Sequence, residues 1–289
     1  MKNSSMSQLE KEIKNYQILA CMIVRATGSV HGEHPRRCLW DICGKPMIQW
    51  ALEPVIQCKY IDKVVVCTED RQIRDVVEKL GVKVIDRPLF QSHDYPRDYT
   101  SGLFRQFKTR SIIRQPPIVY TATAEYVLYW LEKEEKWTPD IYLCYQANMP
   151  MSSVKTTNRL IETFFKDKEA TEARTFYHKS YYAWMINPTT NRLMPLFDLI
   201  PFNRQLYPKL YCPGPYILLG CAERSSSPGS RIATVYIEPE EGLDIHTEED
   251  LFKARCYMKR RLLKEGKGVK WEIGQDDKFG ENNKKEKKI

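Results

Sequence analysis

Between residues 17 and 85 the spacing of apolar residues switches back and forth between two periods, and few folds accept that switching. Residues 17–24, Gln-Ile-Leu-Ala-Cys-Met-Ile-Val, form an unbroken apolar run of the kind a strand buried on both faces needs. In residues 45–57, Met47, Ile48, Ala51, Leu52 and Val55 recur at helical spacing, and residues 63–68, Lys-Val-Val-Val-Cys-Thr, return to a strand. Residues 70–80 put Ile73, Val76, Val77 and Leu80 on one helical face, Gly81 stops that helix, and residues 82–85 form the next strand. Strands and helices alternating in this way close as a parallel sheet with right-handed crossovers. The pattern resumes with helices over 124–134, 154–166 and 247–263, and strands over 141–146, 174–186, 216–219 and 232–237. Thr247 and Asp250 supply a capped start for the last helix. The spacing predicts an α/β fold built on a parallel sheet with right-handed crossovers.

Composition narrows the class further. A chain of 289 residues buries a sizeable core without cross-links, and 42% hydrophobic with 28% charged residues excludes a disordered polymer. No apolar run approaches the roughly 18 residues of a membrane span, and residues 1–16 lack the apolar centre of a secretory leader. The nine cysteines are odd in number and irregularly spaced, with no metal-binding pattern, so they read as free thiols in a reducing, cytoplasmic setting. Residues 259–289 hold 11 Lys and Arg against 6 Asp and Glu, which gives that end +5 of the total +8. Without aromatic interleaving, this is expected to be a solvated, flexible tail with no nucleic-acid partner. Residues 1–16 then read as an N-terminal extension, 17–263 as the folded domain and 264–289 as the basic tail. Within the domain, residues 88–118 lose periodicity and read as an insertion or lid.

Open parallel sheets bind ligands beyond the carboxyl ends of their strands, which directs attention to residues 24–37 after the first strand. This loop holds Gly28, Ser29 and Gly32 among Arg25, Arg36 and Arg37, and it is neither GxxxxGK[ST] nor GxGxxG. Glycines let backbone N–H groups approach an anion, and arginines fork onto phosphate oxygens. A triphosphate demands both, because its charge must be neutralised before a nucleophile reaches the α-phosphorus. An ordinary polar loop has the same composition, so both readings stand at this point.

The flanking residues carry a resemblance. Ile23-Val24-Arg25-Ala26-Thr27-Gly28-Ser29, then Pro35-Arg36-Arg37-Cys38-Leu39, then Gly44-Lys45-Pro46-Met47-Ile48 resemble the opening of the acylneuraminate cytidylyltransferase family. That family includes the CMP-sialic acid and CMP-3-deoxyoctulosonate synthetases. Further similarity follows in order: Val64 through Asp70, Arg87-Pro88, Pro139 through Gln146 with Pro150, and Leu243-Asp244-Ile245-His246-Thr247-Glu248-Glu249-Asp250-Leu251. The resemblance covers about residues 17–262, interrupted at 88–118.

It implies the Rossmann-like fold of the nucleotide-sugar transferases, a three-layer sandwich around a mostly parallel sheet with a β-rich arm for homodimerisation. The implied activity is transfer of CMP from CTP to an acidic sugar with release of pyrophosphate. Arg25, Arg37 and Asp244 would be catalytic, while Arg25, Gly28, Ser29, Arg36, Arg37 and Thr68 would hold the nucleotide. Gln146, Tyr216 and Arg204 would meet the acceptor, and Asp244 would bind Mg²⁺. The sequence also departs from the family pattern. Arg37 stands where the family has a lysine, His246 where it has a second aspartate, and Asn148 where the octulosonate branch has a metal-binding aspartate. Pro213 replaces an asparagine, and Ser152 stands where an arginine often follows, with Arg159, Arg204 and Arg231 as possible substitutes. Because these changes cluster on the acceptor side, the expected acceptor is a nonulosonic or octulosonic acid other than ordinary sialic acid, or a phosphonate. The alternative is an inactive paralogue that binds nucleotide or a protein partner.

Overall fold

The computed structural model describes residues 6–26, 35–87, 119–179, 184–195, 209–219 and 231–268. Helix α1 (Gln8–Ile13) precedes strand β1 (Ile18–Ile23), and a short 3-10 turn (Arg37–Leu39) leads into the hairpin β2 (Asp41–Ile42) and β3 (Lys45–Pro46). There follow α2 (Met47–Ile56), β4 (Lys63–Thr68), α3 (Arg71–Glu78), β5 (Lys83–Asp86) and α4 (Val119–Glu135). The chain continues through β6 (Ile141–Tyr145), α5 (Val154–Lys166), β7 (Glu172–His178), β8 (Trp184–Ile186) and β9 (Leu193–Pro195). It ends with β10 (Tyr211–Leu219), β11 (Ile232–Ile237) and α6 (Glu248–Lys264).

The strands form a seven-stranded sheet in the order β11-β7-β10-β6-β1-β4-β5. The pairs β1–β4, β4–β5, β1–β6 and β7–β11 are parallel, and β10 runs antiparallel between β6 and β7. Alternation along β1 explains the layers. Ile18, Ala20 and Met22 face a core shared with α2, α5 and α6, while Leu19 and Cys21 face one closed by Ala124, Val127, Leu128 and Leu131 of α4. The expected three-layer sandwich around a mostly parallel sheet is the architecture found. The chain moves outward from β1 to β4 and β5 on one side and resumes with β6 on the other. This creates a switch point between β1 and β6, and crevices of this kind admit ligands.

Several elements differ from the sequence expectation. The expected strand 174–186 is two strands, β7 and β8, with residues 180–183 outside the described residues. Lys45 and Pro46 belong to a hairpin, because Cys43 (φ 54°) and Gly44 (φ 89°) form a two-residue turn in the left-handed region that matches strand twist. Residues 8–13, expected to be part of an extension, are a helix closed by a capping box between Ser7 and Glu10 and docked through the buried Ile13. The stretch 88–118 lies outside the described residues, as does the tail beyond residue 268. Among the described residues no helix is long and apolar enough to cross a membrane.

Candidate functional site

The carboxyl ends of β1, β4 and β5 converge on one group of charges. The Val24 N–H donates to the Cys67 carbonyl at 3.0 Å, which carries the β1–β4 pairing one residue further and delivers Arg25 to the rim. The Ala26 N–H then donates to Glu69 Oε1 at 3.0 Å, and Glu69 Oε2 faces Arg87 Nη1 at 3.7 Å. Arg87 is buried at the end of β5 and held there by its own N–H, which donates to the Thr68 carbonyl at 3.2 Å. Burial lowers the affinity of both guanidinium groups for their protons, and Arg87 adds repulsion to Arg25 while Glu69 opposes it. Arginine stays charged at physiological pH even so, and the two guanidinium groups bring concentrated positive charge to this edge beside Glu69. Sequence reasoning quoted Arg87 but gave it no role. Its position directly after a buried strand, like that of Arg25, was the available signal.

The loop after β1 closes on itself. The Arg36 N–H donates to the Ala26 carbonyl at 2.7 Å, which ties the two described ends of the loop together. Arg36 itself is left-handed (φ 56°, ψ 34°), and its Nε donates to Asp70 Oδ2 at 2.7 Å. Asp70 also caps α3 by accepting the Ile73 N–H at 3.0 Å. Burial alone would raise the Asp70 carboxyl, but the Ile73 and Gln72 N–H groups and the Arg36 guanidinium together hold it below its usual value. Gly28, Ser29, His31 and His34 lie outside the described residues.

This double duty gives an expected result. Asp70→Ala should cost about 1–2 kcal/mol of stability in urea titrations at neutral pH, the usual loss for an N-cap. Because the folded carboxyl is depressed, its contribution is fully present above the unfolded value of about 4 and fades as pH falls through the folded value. The gap between wild type and Asp70→Ala should therefore shrink only below about pH 4. A gap that instead closes between pH 5 and 7 would contradict this assignment.

A second group forms across β6 and the approach to α6. Gly242 packs on Tyr177, where an added Cβ would sit 2.1 Å from the ring, so only glycine lets the segment pass. Glu241 accepts from the Thr156 hydroxyl at 2.6 Å, and the Ile245 N–H donates to the Asn148 carbonyl at 2.9 Å. These ties place Asp244 and His246 beside the end of β6. Arg37 Nη1 donates to His246 Nδ1 and to the His246 carbonyl, both at 3.0 Å. Arginine has no acceptor, so His246 Nδ1 carries no proton and the ring presents Nε2–H. His246 Nε2 lies 2.8 Å from Asp244 Oδ1, which also accepts from Asn148 Nδ2. Asp250 is occupied in capping α6, accepting the His246 and Thr247 N–H groups at 3.2 and 3.0 Å.

Mg²⁺ prefers carboxylate, phosphate and water oxygens, and Asp244 fits it poorly as a resident ligand. Two N–H donors already converge on Oδ1, and an amide and an imidazole stand where further oxygens are needed. Among the described residues no group of three or more His, Cys, Asp or Glu side chains is arranged to hold a metal.

The expected site residues are thus sorted. Arg25, Arg36, Arg37 and Asp244 lie at the carboxyl edge, and Gln146 is exposed there at the end of β6. Two of the expected residues are buried. Thr68 is fully buried, and its hydroxyl accepts the Asp70 N–H at 3.2 Å, so it supports Asp70. Tyr216 is buried in the core, with its hydroxyl 3.1 Å from that of Thr157, and burial pushes it up to about 12. It sits on the inner face of β10, in the core. Of the arginines considered as substitutes at the acceptor side, Arg159 donates to the Tyr236 carbonyl, Arg231 pairs with Glu169, and Arg204 lies outside the described residues. Arg37, Asn148 and His246 were legible as departures from a pattern, but their mutual contact was not.

Residues 35–98 match the family model described as cytidylyltransferase. A 3-deoxy-manno-octulosonate cytidylyltransferase of Francisella tularensis subsp. novicida (strain U112) is 41% identical over 51 residues, 18% of this chain and 20% of the relative. The protein of that description from Trichlorobacter lovleyi is 39% identical over 51 residues, with the same 18% and 20% coverage. The chain thus spans about a fifth of the length of the curated relatives it matches. Among solved structures, a CMP:2-keto-3-deoxy-manno-octonic acid synthetase complexed with CTP aligns with a TM-score of 0.54 at 18% identity. That alignment covers 85% of this chain and 100% of the other. The 4-diphosphocytidyl-2C-methyl-D-erythritol synthase of Anaerococcus prevotii aligns at 0.53 and 14% identity, covering 86% and 99%. At these identities the two structures establish the fold.

Proposed function

We propose that this chain, a relative of the cytidylyltransferases through residues 35–98, transfers CMP from CTP to the hydroxyl of an acidic sugar or a related phosphonate and releases pyrophosphate. The observation that supports this most is the pair of desolvated arginines, Arg25 and Arg87, sharing Glu69 at the carboxyl ends of β1, β4 and β5. In this reading the acceptor hydroxyl oxygen forms a bond to the α-phosphorus as its proton passes to solvent, while the bond from the α-phosphorus to the bridging oxygen of the departing pyrophosphate breaks. Charge develops on the departing pyrophosphate, and fixed guanidinium donors stabilise it without reorganising. Arg25 and Arg37 grip the phosphates, Arg36 holds the loop neck, and Gln146 faces the acceptor. Asp244 fixes the cationic side of the site, and no step is routed through a resident metal. The acceptor is a nonulosonic or octulosonic acid or a phosphonate, and the octulosonate in the relatives' printed names supports the sugar-acid class.

A second copy of the chain is the proposed partner. The hairpin β8–β9 exposes Trp184 (58%), Ile186 (60%) and Leu193 (69%), an apolar ribbon that a dimer would cover. Sedimentation equilibrium giving a monomer mass would remove this part. The free thiols fit a cytoplasmic setting, since burial pushes Cys38 and Cys67 up to about 12 and leaves them protonated and unreactive.

The test of function is pyrophosphate release coupled to a colorimetric readout, with each nucleoside triphosphate and a panel of octulosonic, nonulosonic and phosphonate acceptors. Release that needs both CTP and one acidic acceptor is expected. CTP binding without release from any acceptor would instead favour the inactive paralogue, for which Arg37, Asn148 and His246 at altered positions are the supporting observation.

A further inference from the structure

The misfit between Asp244 and a metal has a positive counterpart. Resting on the CTP reading above, we propose that the site carries a built-in cation. Arg37, aligned by His246, supplies at the phosphates the charge a resident divalent ion would bring, so that CTP binds without one.

The contacts run in one direction. Asn148 Nδ2 and His246 Nε2–H both donate to Asp244 Oδ1, which fixes the imidazole ring and turns Nδ1 toward Arg37. Nδ1 and the His246 carbonyl then accept from one nitrogen of Arg37, Nη1, at 3.0 Å each. Guanidinium carries five N–H donors in a planar fork, so a grip through Nη1 leaves the rest of the fork for an anion. Asp244 therefore orients a cation through its neighbours. For Mg²⁺ to bind Asp244 Oδ1, both N–H donors must turn away and Arg37 must lose its alignment. At Oδ1 the two arrangements compete, and the side chains present at positions 37, 148 and 246 all favour the fixed cation. His246 is a positioning residue here, since it touches Arg37 and no reacting atom.

The experiment is calorimetry of CTP binding to the full chain in EDTA and in millimolar Mg²⁺, for wild type, Arg37→Gln and His246→Ala. Wild-type affinity should agree between the two conditions within about threefold, a difference well under the 1.4 kcal/mol of a tenfold change. Arg37→Gln should weaken binding in EDTA by about 10- to 100-fold, the usual loss for a charge-assisted contact. His246→Ala should weaken it less and leave far-ultraviolet circular dichroism unchanged. In parallel, Mn²⁺ added to nucleotide-free protein should keep the electron paramagnetic resonance signal of the free ion. Wild-type binding that collapses in EDTA, or stoichiometric Mn²⁺ uptake lost in Asp244→Asn, would overturn the built-in cation while leaving the CTP reading intact. Equal affinity of Arg37→Gln and wild type in EDTA would overturn the role of Arg37. No CTP binding in either condition would overturn both readings together.

Discussion

Arg25→Gln is expected to lower CTP-dependent pyrophosphate release by about 10²–10³-fold, the usual cost of removing one preorganised donor from developing negative charge. Arg25 emerges from β1 beside Arg87, where burial and the neighbouring guanidinium disfavour its charge and the carboxylate of Glu69 favours it. Removing a cation that is already repelled by a neighbour relieves repulsion in the ligand-free protein. The substitution should therefore leave the thermal midpoint unchanged or slightly raised while activity collapses. That opposition of signs separates a ligand-binding arginine from a structural one. A fall in stability equal to or larger than the fall in transition-state binding would assign Arg25 to the fold. The measurement pairs single-turnover kinetics with thermal unfolding of the same preparation.

The largest effect on stability is expected at Phe165. It is fully buried in α5, packs edge-on to Phe164 with ring centroids 5.5 Å apart, and meets Tyr16 edge-on at 5.0 Å. Phe165→Ala removes a ring whose surroundings include the sheet, α5 and the segment that docks α1, and its neighbours cannot all collapse inward together. The cost should be about 3–5 kcal/mol in urea titrations, a large share of a total stability of about 5–15 kcal/mol. If α1 were loosely attached, proteolysis near Tyr16 would be as fast in wild type as in the variant. Slow wild-type cleavage, accelerated in the variant, is the expected result.

Much of this fold could be read from the chain because its central strands are buried on both faces, and unbroken apolar runs have few other uses. Residues 63–68, 154–166 and 232–237 carry the bounds in the structure that their periodicity gives. Legibility failed where long-range contact decides the outcome. Helix α1 is too short to announce itself and depends on docking, and the β2–β3 hairpin depends on two residues with positive φ, only one of them a glycine. At the site, the sequence named Arg25, Arg36, Arg37 and Asp244, since charged residues after strands are visible in one dimension. It could not show that Thr68 and Tyr216 turn inward, because a strand's end shifts by a residue and reverses the face. Nor could it join residue 37 to residue 246, which only the fold brings together.

The hydrogen bond between the Ala26 carbonyl and the Arg36 N–H acts as a drawstring: whatever length of chain hangs beyond it, the sheet senses only two fixed ends. Loop-closure entropy grows slowly, by about 0.6 kcal/mol for each doubling of length. Changes in chain length between Ala26 and Arg36 should therefore cost the sheet little, since the bond that joins the two ends is made by the described residues.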